Sequence, residues 1–144
     1  MLLSAPLLLY RLGLGWVLGQ RFLRITHKGR KTGRRHRTVV EVIKADPEAG
    51  VYYVASGWGA TSQWFRNVTA DPRVHITVGR RKFKAEAERL SIEDAERILR
   101  EYRQRHSIAA KGLGRIFGTD DPHEIAQVVP VVAFRRVRSG KQNQ

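Results

Sequence analysis

The chain has 144 residues, 42% of them hydrophobic and 28% charged, which is ordinary for a soluble fold and enough to bury one core. Its 27 Lys and Arg against 13 Asp and Glu give a net charge of +14, which suits an anionic partner: nucleic acid, an anionic membrane surface or an acidic small molecule. There is no Cys, so disulfides, thiolate metal sites and Cys nucleophiles are excluded, in keeping with a reducing, cytoplasmic setting.

One domain is expected over residues 1–144. Residues 1–20 are the most hydrophobic stretch, and Arg11 is their only charged side chain. A secretory signal would have a basic start and a small-x-small cleavage site, and this stretch has neither. A spanning helix needs about 20 apolar residues, and here a charge sits in the middle. The stretch reads as an amphipathic helix. It would lie on the protein's own core or in a membrane interface, with Arg11, Arg21 and Arg24 toward headgroups.

Residues 22–26 are short and β-prone, and residues 37–44 form a strand rich in β-branched residues. Between them lies a run dense in Lys and Arg and punctuated by Gly29 and Gly33. The sequence Asp46-Pro47-Glu48-Ala49-Gly50 is a turn, so the strand at 51–56 pairs back as a hairpin. A flexible loop follows, through Ser56, Gly57, Trp58 and Gly59. Thr61 or Ser62 then caps a helix over 63–69, which Asp71-Pro72 ends. The start of that helix is a second candidate anion site. Trp64 and Phe65 read as core or groove lining.

Residues 73–78 and 82–90 alternate polar and apolar about Gly79-Arg80, which predicts a second hairpin with His75 exposed and Phe83, Ala85 and Ala87 on one face. Ser91 opens a helix with Glu93 and Asp94 in its first turn, and apolar spacing carries it to about residue 106. Residues 109–117 suggest another short helix, 118–122 a break, 123–127 a further helical turn and 131–134 the centre of a last strand. The tail, 138–144, is polar and expected to fray. With about six strands, mostly in antiparallel hairpins, and no βαβ alternation, the chain is mainly β with peripheral helices (α+β): a small barrel or strongly curved sheet.

No catalytic triad, Walker loop or Rossmann fingerprint is present, and the five His are scattered without metal-ligand spacing, so catalytic side chains stay unassigned and no metal is expected. The basic turn at 27–40 carries the strongest signal. Gly29 and Gly33 let backbone N–H groups approach a ligand, while Arg30, Lys31, Arg34, Arg35 and Arg37 supply donors for phosphate or carboxylate. His36 lies beside the turn as a further candidate contact. The bare pattern also fits a solvated basic hairpin. Binding groups without chemical machinery suit an enzyme whose cofactor performs the chemistry.

Gly29-Arg30-Lys31-Thr32-Gly33, then Arg37-Thr38, Val54-Ala55-Ser56-Gly57-Trp58-Gly59, Trp64-Phe65-Arg66-Asn67 and Asp71-Pro72-Arg73-Val74 occur in order. Together they resemble the deazaflavin-dependent nitroreductase family, also described as F420H2-dependent quinone reductases. The likeness runs from about residue 22 to residue 90, and more loosely to Pro130-Val131-Val132-Ala133-Phe134. It implies a split β-barrel of the flavin-reductase, FMN-binding type. It implies that Arg30, Lys31, Thr32, Gly33, Arg37 and Thr38 hold the acidic tail of coenzyme F420. Ser56, Gly57, Trp58, Gly59, Trp64 and Asn67 would wall its ring system. FMN is the alternative ligand. The implied reaction is hydride transfer to an electron-poor small-molecule acceptor such as a quinone or nitro compound. This sequence has Thr38-Val39-Val40 where many relatives have Pro soon after the motif. One extra residue also makes Arg35, His36 and Arg37 compete for one role, and Tyr102 is a candidate for the acceptor pocket. Peripheral membrane contact through residues 1–20 and a homodimer are compatible with this reading. The contrasting reading is a non-enzymatic flavin- or nucleic-acid-binding module, for which exposed Trp and a basic groove would be required.

Overall fold

The computed structural model describes residues 21–56, 61–105 and 121–138. The elements in chain order are β1 (Phe22–Lys28), β2 (Arg35–Asp46), β3 (Val51–Ala55), α1 (Gln63–Ala70), β4 (Arg73–Val78), β5 (Arg81–Arg89), α2 (Ile92–Arg105), α3 (Pro122–Val128) and β6 (Val131–Arg136). The strands close into a barrel in the order β1-β2-β3-β6-β5-β4, every pair antiparallel. The expected mainly-β architecture with peripheral helices is therefore what the chain adopts. The expected helices at 1–20 and 109–117, the loop residues Gly57, Trp58 and Gly59, and the tail beyond 138 lie outside the described residues. Among the described residues no helix is long and apolar enough to cross a membrane.

Three hairpins follow from the sequence. Gly50, at φ +71°, closes β2 onto β3, and Gly79, at φ +58°, closes β4 onto β5. The third, β1–β2, is longer than expected: β1 runs on to Lys28 and β2 begins at Arg35, so that His27 faces His36 and Lys28 faces Arg35. The ladder continues until Gly33, at φ +74°, reverses the chain. Barrel closure is long-range. β1 meets β4 at Ile25 and Ile76, and β6 inserts between β3 and β5, with Phe134 opposite both Tyr52 and Ala87.

Strand alternation sorts the side chains. Leu23, Ile25, Val40, Tyr52, Val54, Ile76, Val78, Val132 and Phe134 fill the barrel, and Trp64, Phe65 and Val68 of α1 join the same cluster. A second cluster holds α2 and α3 against the outside through Ile43, Ile98, Leu99, Tyr102, Ile125 and Val131. Ser62 is the α1 cap, its hydroxyl accepting from the Phe65 N–H. The break before α3 ends at Asp121, which caps the helix, and Pro122 opens it because a first-turn proline loses no helical hydrogen bond. His75 is exposed on β4, as its alternating position requires.

Candidate functional site

The basic turn, residues 29–34, is held by its own backbone: the Gly29 N–H donates to the Arg34 carbonyl at 2.7 Å and the Gly33 N–H to the Gly29 carbonyl at 2.8 Å. The Thr32 hydroxyl accepts from the Arg34 N–H at 3.2 Å. A Cβ on Gly29 would lie 2.8 Å from His36 Nε2 and 3.2 Å from Thr32 Oγ1, so the position is closed to any side chain unless His36 moves. Thr32 and Gly33 thus shape the turn from within.

Arg30 behaves unlike its neighbours. Its backbone N–H donates to Asn67 Oδ1 at 3.2 Å, and its guanidinium Nη1 donates to Asn67 Oδ1 at 2.8 Å and to Gln63 Oε1 at 2.9 Å. Both acceptors are on α1, so Arg30 fastens the turn to that helix. Lys28, Lys31, Arg34, Arg35 and Arg37 have no ion pair among the described residues. Arg35 and Arg37 alternate with His36 and Thr38 along β2, so of the three residues competing for one role the two arginines share one face and His36 takes the other. Arg35 lines a cavity of about 480 Å³ beside the turn, and His36 lies over Gly29. Arg37 is exposed at the strand position opposite Thr26. The cavity's bases Lys28, Arg35, Arg73 and Lys84 outnumber its acids Asp71 and Glu86. Arg73 is engaged by Asp71 at 3.0 Å, and that contact holds the Asp71 carboxyl below its ordinary range.

Beneath the turn is a buried polar chain. Asn67, 5% exposed, places Nδ2 3.1 Å from Nδ1 of His27, which is 4% exposed. The other ring nitrogen, Nε2, is 3.0 Å from Thr38 Oγ1. Burial, and secondarily the neighbouring His36, push the His27 pKa down from 6.5 to about 4, so the ring is neutral at pH 7. His36 stacks on it with ring centroids 5.8 Å apart.

Ser56 is fully buried on the other side of α1, its hydroxyl 2.9 Å from that of Ser62. Trp64 is 7% exposed and packs on Phe134 at 6.2 Å, which makes it part of the barrel core. Tyr102 is on α2, with its hydroxyl on Glu41 at 2.8 Å, away from the turn. Of the residues singled out from sequence, Arg30, Thr38 and Asn67 come together around His27. Thr32, Gly33 and Lys31 form the turn above, and Ser56 stands apart at the helix cap. His27 and Gln63 were not singled out. Alternation with Leu23 and Ile25 already placed His27 inward, and that was the available signal.

The model of the F420H(2)-dependent quinone reductase family matches residues 12–117. No curated protein matches the chain. Among solved structures, an F420-H2 dependent reductase (FDR-A) superposes with a TM-score of 0.61 at 19% identity, covering 81% of this chain and 96% of that one. A structure described as a domain-swapped dimer has a TM-score of 0.59 at 18% identity and covers 83% of each chain. A Clostridium acetobutylicum protein related to general stress protein 26, of the pyridoxinephosphate oxidase family, has a TM-score of 0.53 at 9% identity, covering 89% and 83%. These likenesses establish the split-barrel fold.

Proposed function

The chain belongs to the F420H(2)-dependent quinone reductase family, and on that premise we propose that it transfers hydride from reduced coenzyme F420 to an electron-poor acceptor such as a quinone or a nitro compound. The observation that carries the reading is the turn at 29–34. Its backbone is fixed and Gly29 leaves it bare of side chain. Lys31, Arg34 and Arg35 stand around it without a carboxylate partner among the described residues. Several cations on a turn of fixed backbone, without carboxylate partners among the described residues, fit a multiply anionic tail, and two of the cofactor's properties, phosphate and carboxylate, match guanidinium and ammonium donors. The adjoining basic cavity gives that tail room. The family model names F420 and lends nothing to FMN.

Bound in its reduced form, F420 supplies the hydride. The chain's own work is then to bind and orient. Lys31, Arg34 and Arg35 neutralise tail charge, Arg30 holds the turn against α1, and the buried Ser56–Ser62 pair fixes the start of α1 beside the loop that leads from β3. Orientation and exclusion of water are the main sources of rate when a cofactor carries the reactive atom. The neighbour described as a domain-swapped dimer supports a homodimer as part of the same reading.

Fluorescence titration of the purified protein with F420 at low salt tests the proposal. Micromolar or tighter binding is expected. Lys31→Ala should weaken it about tenfold, the worth of one charge-assisted contact of roughly 1.4 kcal/mol. Absence of binding at low salt overturns the reading. Oxidation of the reduced cofactor by a quinone and by a nitroaromatic, measured side by side, selects the acceptor class.

A further inference from the structure

The polar chain beneath the turn has only one consistent arrangement of hydrogens. Arg30 offers donors alone, a backbone N–H and a guanidinium N–H, and both point at the same atom of Asn67. That atom must therefore be the amide oxygen. The amide nitrogen is then the group facing His27 Nδ1 at 3.1 Å, and it can only donate. His27 Nδ1 must accept, so the ring is neutral and carries its hydrogen on Nε2, where it donates to Thr38 Oγ1 at 3.0 Å. The orientation of one buried amide is thus locked from both sides: by Arg30 on the turn and by an imidazole inside the barrel.

A proton on His27 Nδ1 would set donor against donor. To accept it, Asn67 would have to turn its oxygen toward the ring. Its NH2 would then meet the Arg30 N–H and guanidinium, again donor against donor. One proton therefore undoes the link between α1 and the turn. The surroundings oppose that proton as well. The charged or titratable groups around His27 are the stacked His36 and, beyond Asn67, Arg30, with Lys28 on β1, Arg35 on β2, Arg73 and His75 on β4 and Lys84 on β5 lining the same cavity. The acids of that cavity are Asp71, already committed to Arg73, and Glu86 on β5.

We propose that His27 and Asn67 are positioning residues for the anion-binding turn: neutral His27 holds Asn67 in the one amide orientation that ties Arg30 to α1. They act through Arg30, which sets how Lys31, Arg34 and Arg35 are presented. The inference rests on the reading of the turn as the cofactor-tail site, and its test separates the two.

The test is nuclear magnetic resonance of the full chain, with F420 titrations alongside. In the wild type, ring-nitrogen spectra should report His27 as the neutral Nε2–H tautomer from pH 7 to pH 5. The opposite tautomer, or a charged ring at pH 6, overturns the proposal. Three variants follow. His27→Leu keeps an apolar filling but removes the acceptor, so the Arg30 amide should exchange with solvent about tenfold faster and F420 affinity should fall about tenfold. His27→Asn sets an oxygen where Nδ1 lies, and should restore both. A His27 that merely fills space predicts the reverse order, Leu better than Asn, and that result also overturns the proposal. Asn67→Asp should keep the Arg30 amide protected while raising the pH at which His27 titrates. An unmoved His27 titration overturns it, and this arm decides if His27→Leu fails to fold. If the wild type binds no F420, the proposed function fails while the tautomer and the Arg30 exchange rates still decide the role of His27.

Discussion

Acid should weaken this fold through one residue. His27 is 4% exposed and its pKa is lowered from 6.5 to about 4, chiefly by burial. The folded protein therefore refuses a proton that the unfolded chain accepts as soon as the pH drops below 6.5. The stabilisation is fully present above pH 6.5 and is lost as the pH falls from there toward 4. Integrating proton uptake by the unfolded chain between pH 7.5 and pH 5 gives a loss of about 2 kcal/mol. For a urea slope of roughly 2 kcal/mol/M, that is a fall of about 1 M in the unfolding midpoint. The experiment is urea unfolding of wild type and His27→Asn at both pH values. His27→Asn cannot titrate, so its midpoint should change far less. Other groups cancel in the comparison because both proteins share them. Among them His123, raised by Glu96, contributes in the opposite sense: its stabilisation is present below pH 6.5 and fades as the pH rises. Parallel pH dependence of the two proteins between pH 5 and 7.5 would refute the assignment of the acid sensitivity to His27.

Three further expectations concern the frame that carries the site, all read by urea or thermal unfolding. Gly50→Ala should cost about 2 kcal/mol or more, because φ is +71° and the new Cβ would lie 2.9 Å from Arg136 Cβ on the neighbouring strand. A cost below about 0.5 kcal/mol would mean that turn is not strained in this way. Tyr52→Phe should be neutral or stabilise by up to about 1 kcal/mol, since the Tyr52 hydroxyl is buried without a hydrogen-bond partner among the described residues and its ring already stacks on Phe83. Tyr102→Phe should destabilise by about 1.5 kcal/mol, by removing the bond its hydroxyl donates to Glu41 and leaving that half-buried carboxylate with less support.

What the sequence made legible follows the reach of each signal. The hairpin at Gly79 rests on alternation and one glycine, both local, and it forms where expected. So does the hairpin at Gly50. The helix cap was narrowed to Thr61 or Ser62, and only the packed loop decides for Ser62. A barrel is expected from the sequence, but the order in which its strands close is not legible, because pairings such as Val54 with Val132 or Ile25 with Ile76 depend on strands far apart in the chain. The first hairpin runs beyond the strands at 22–26 and 37–44 that the sequence marks, because its last rungs are His27, Lys28, Arg35 and His36, residues with no β-forming preference that are carried by the ladder. His27 is hard to single out for the same reason. Five scattered His carry no spacing, and only the burial of Leu23, Ile25 and His27 on one face separates it from the others.

The glycine-basic motif thus divides its work between neighbours. Arg30 and Lys31 are adjacent and equally charged, yet one is consumed by the scaffold. A guanidinium Nη1 carries two hydrogens in a fixed plane, which is what two side-chain oxygens on successive turns of α1 require. An ammonium on a flexible stem offers no such preset geometry, and Lys31 has no ion-pair partner among the described residues. Holding one cation to the helix fixes the turn's backbone, and on the proposed reading a fixed turn leaves less to be ordered when the anion binds. The same economy explains a buried histidine under a basic turn. A carboxylate at position 67 or beneath it would have tied Arg30 more strongly, but would have placed a negative charge under the turn that we propose binds an anion. A neutral imidazole and an amide achieve the tie with no charge at all.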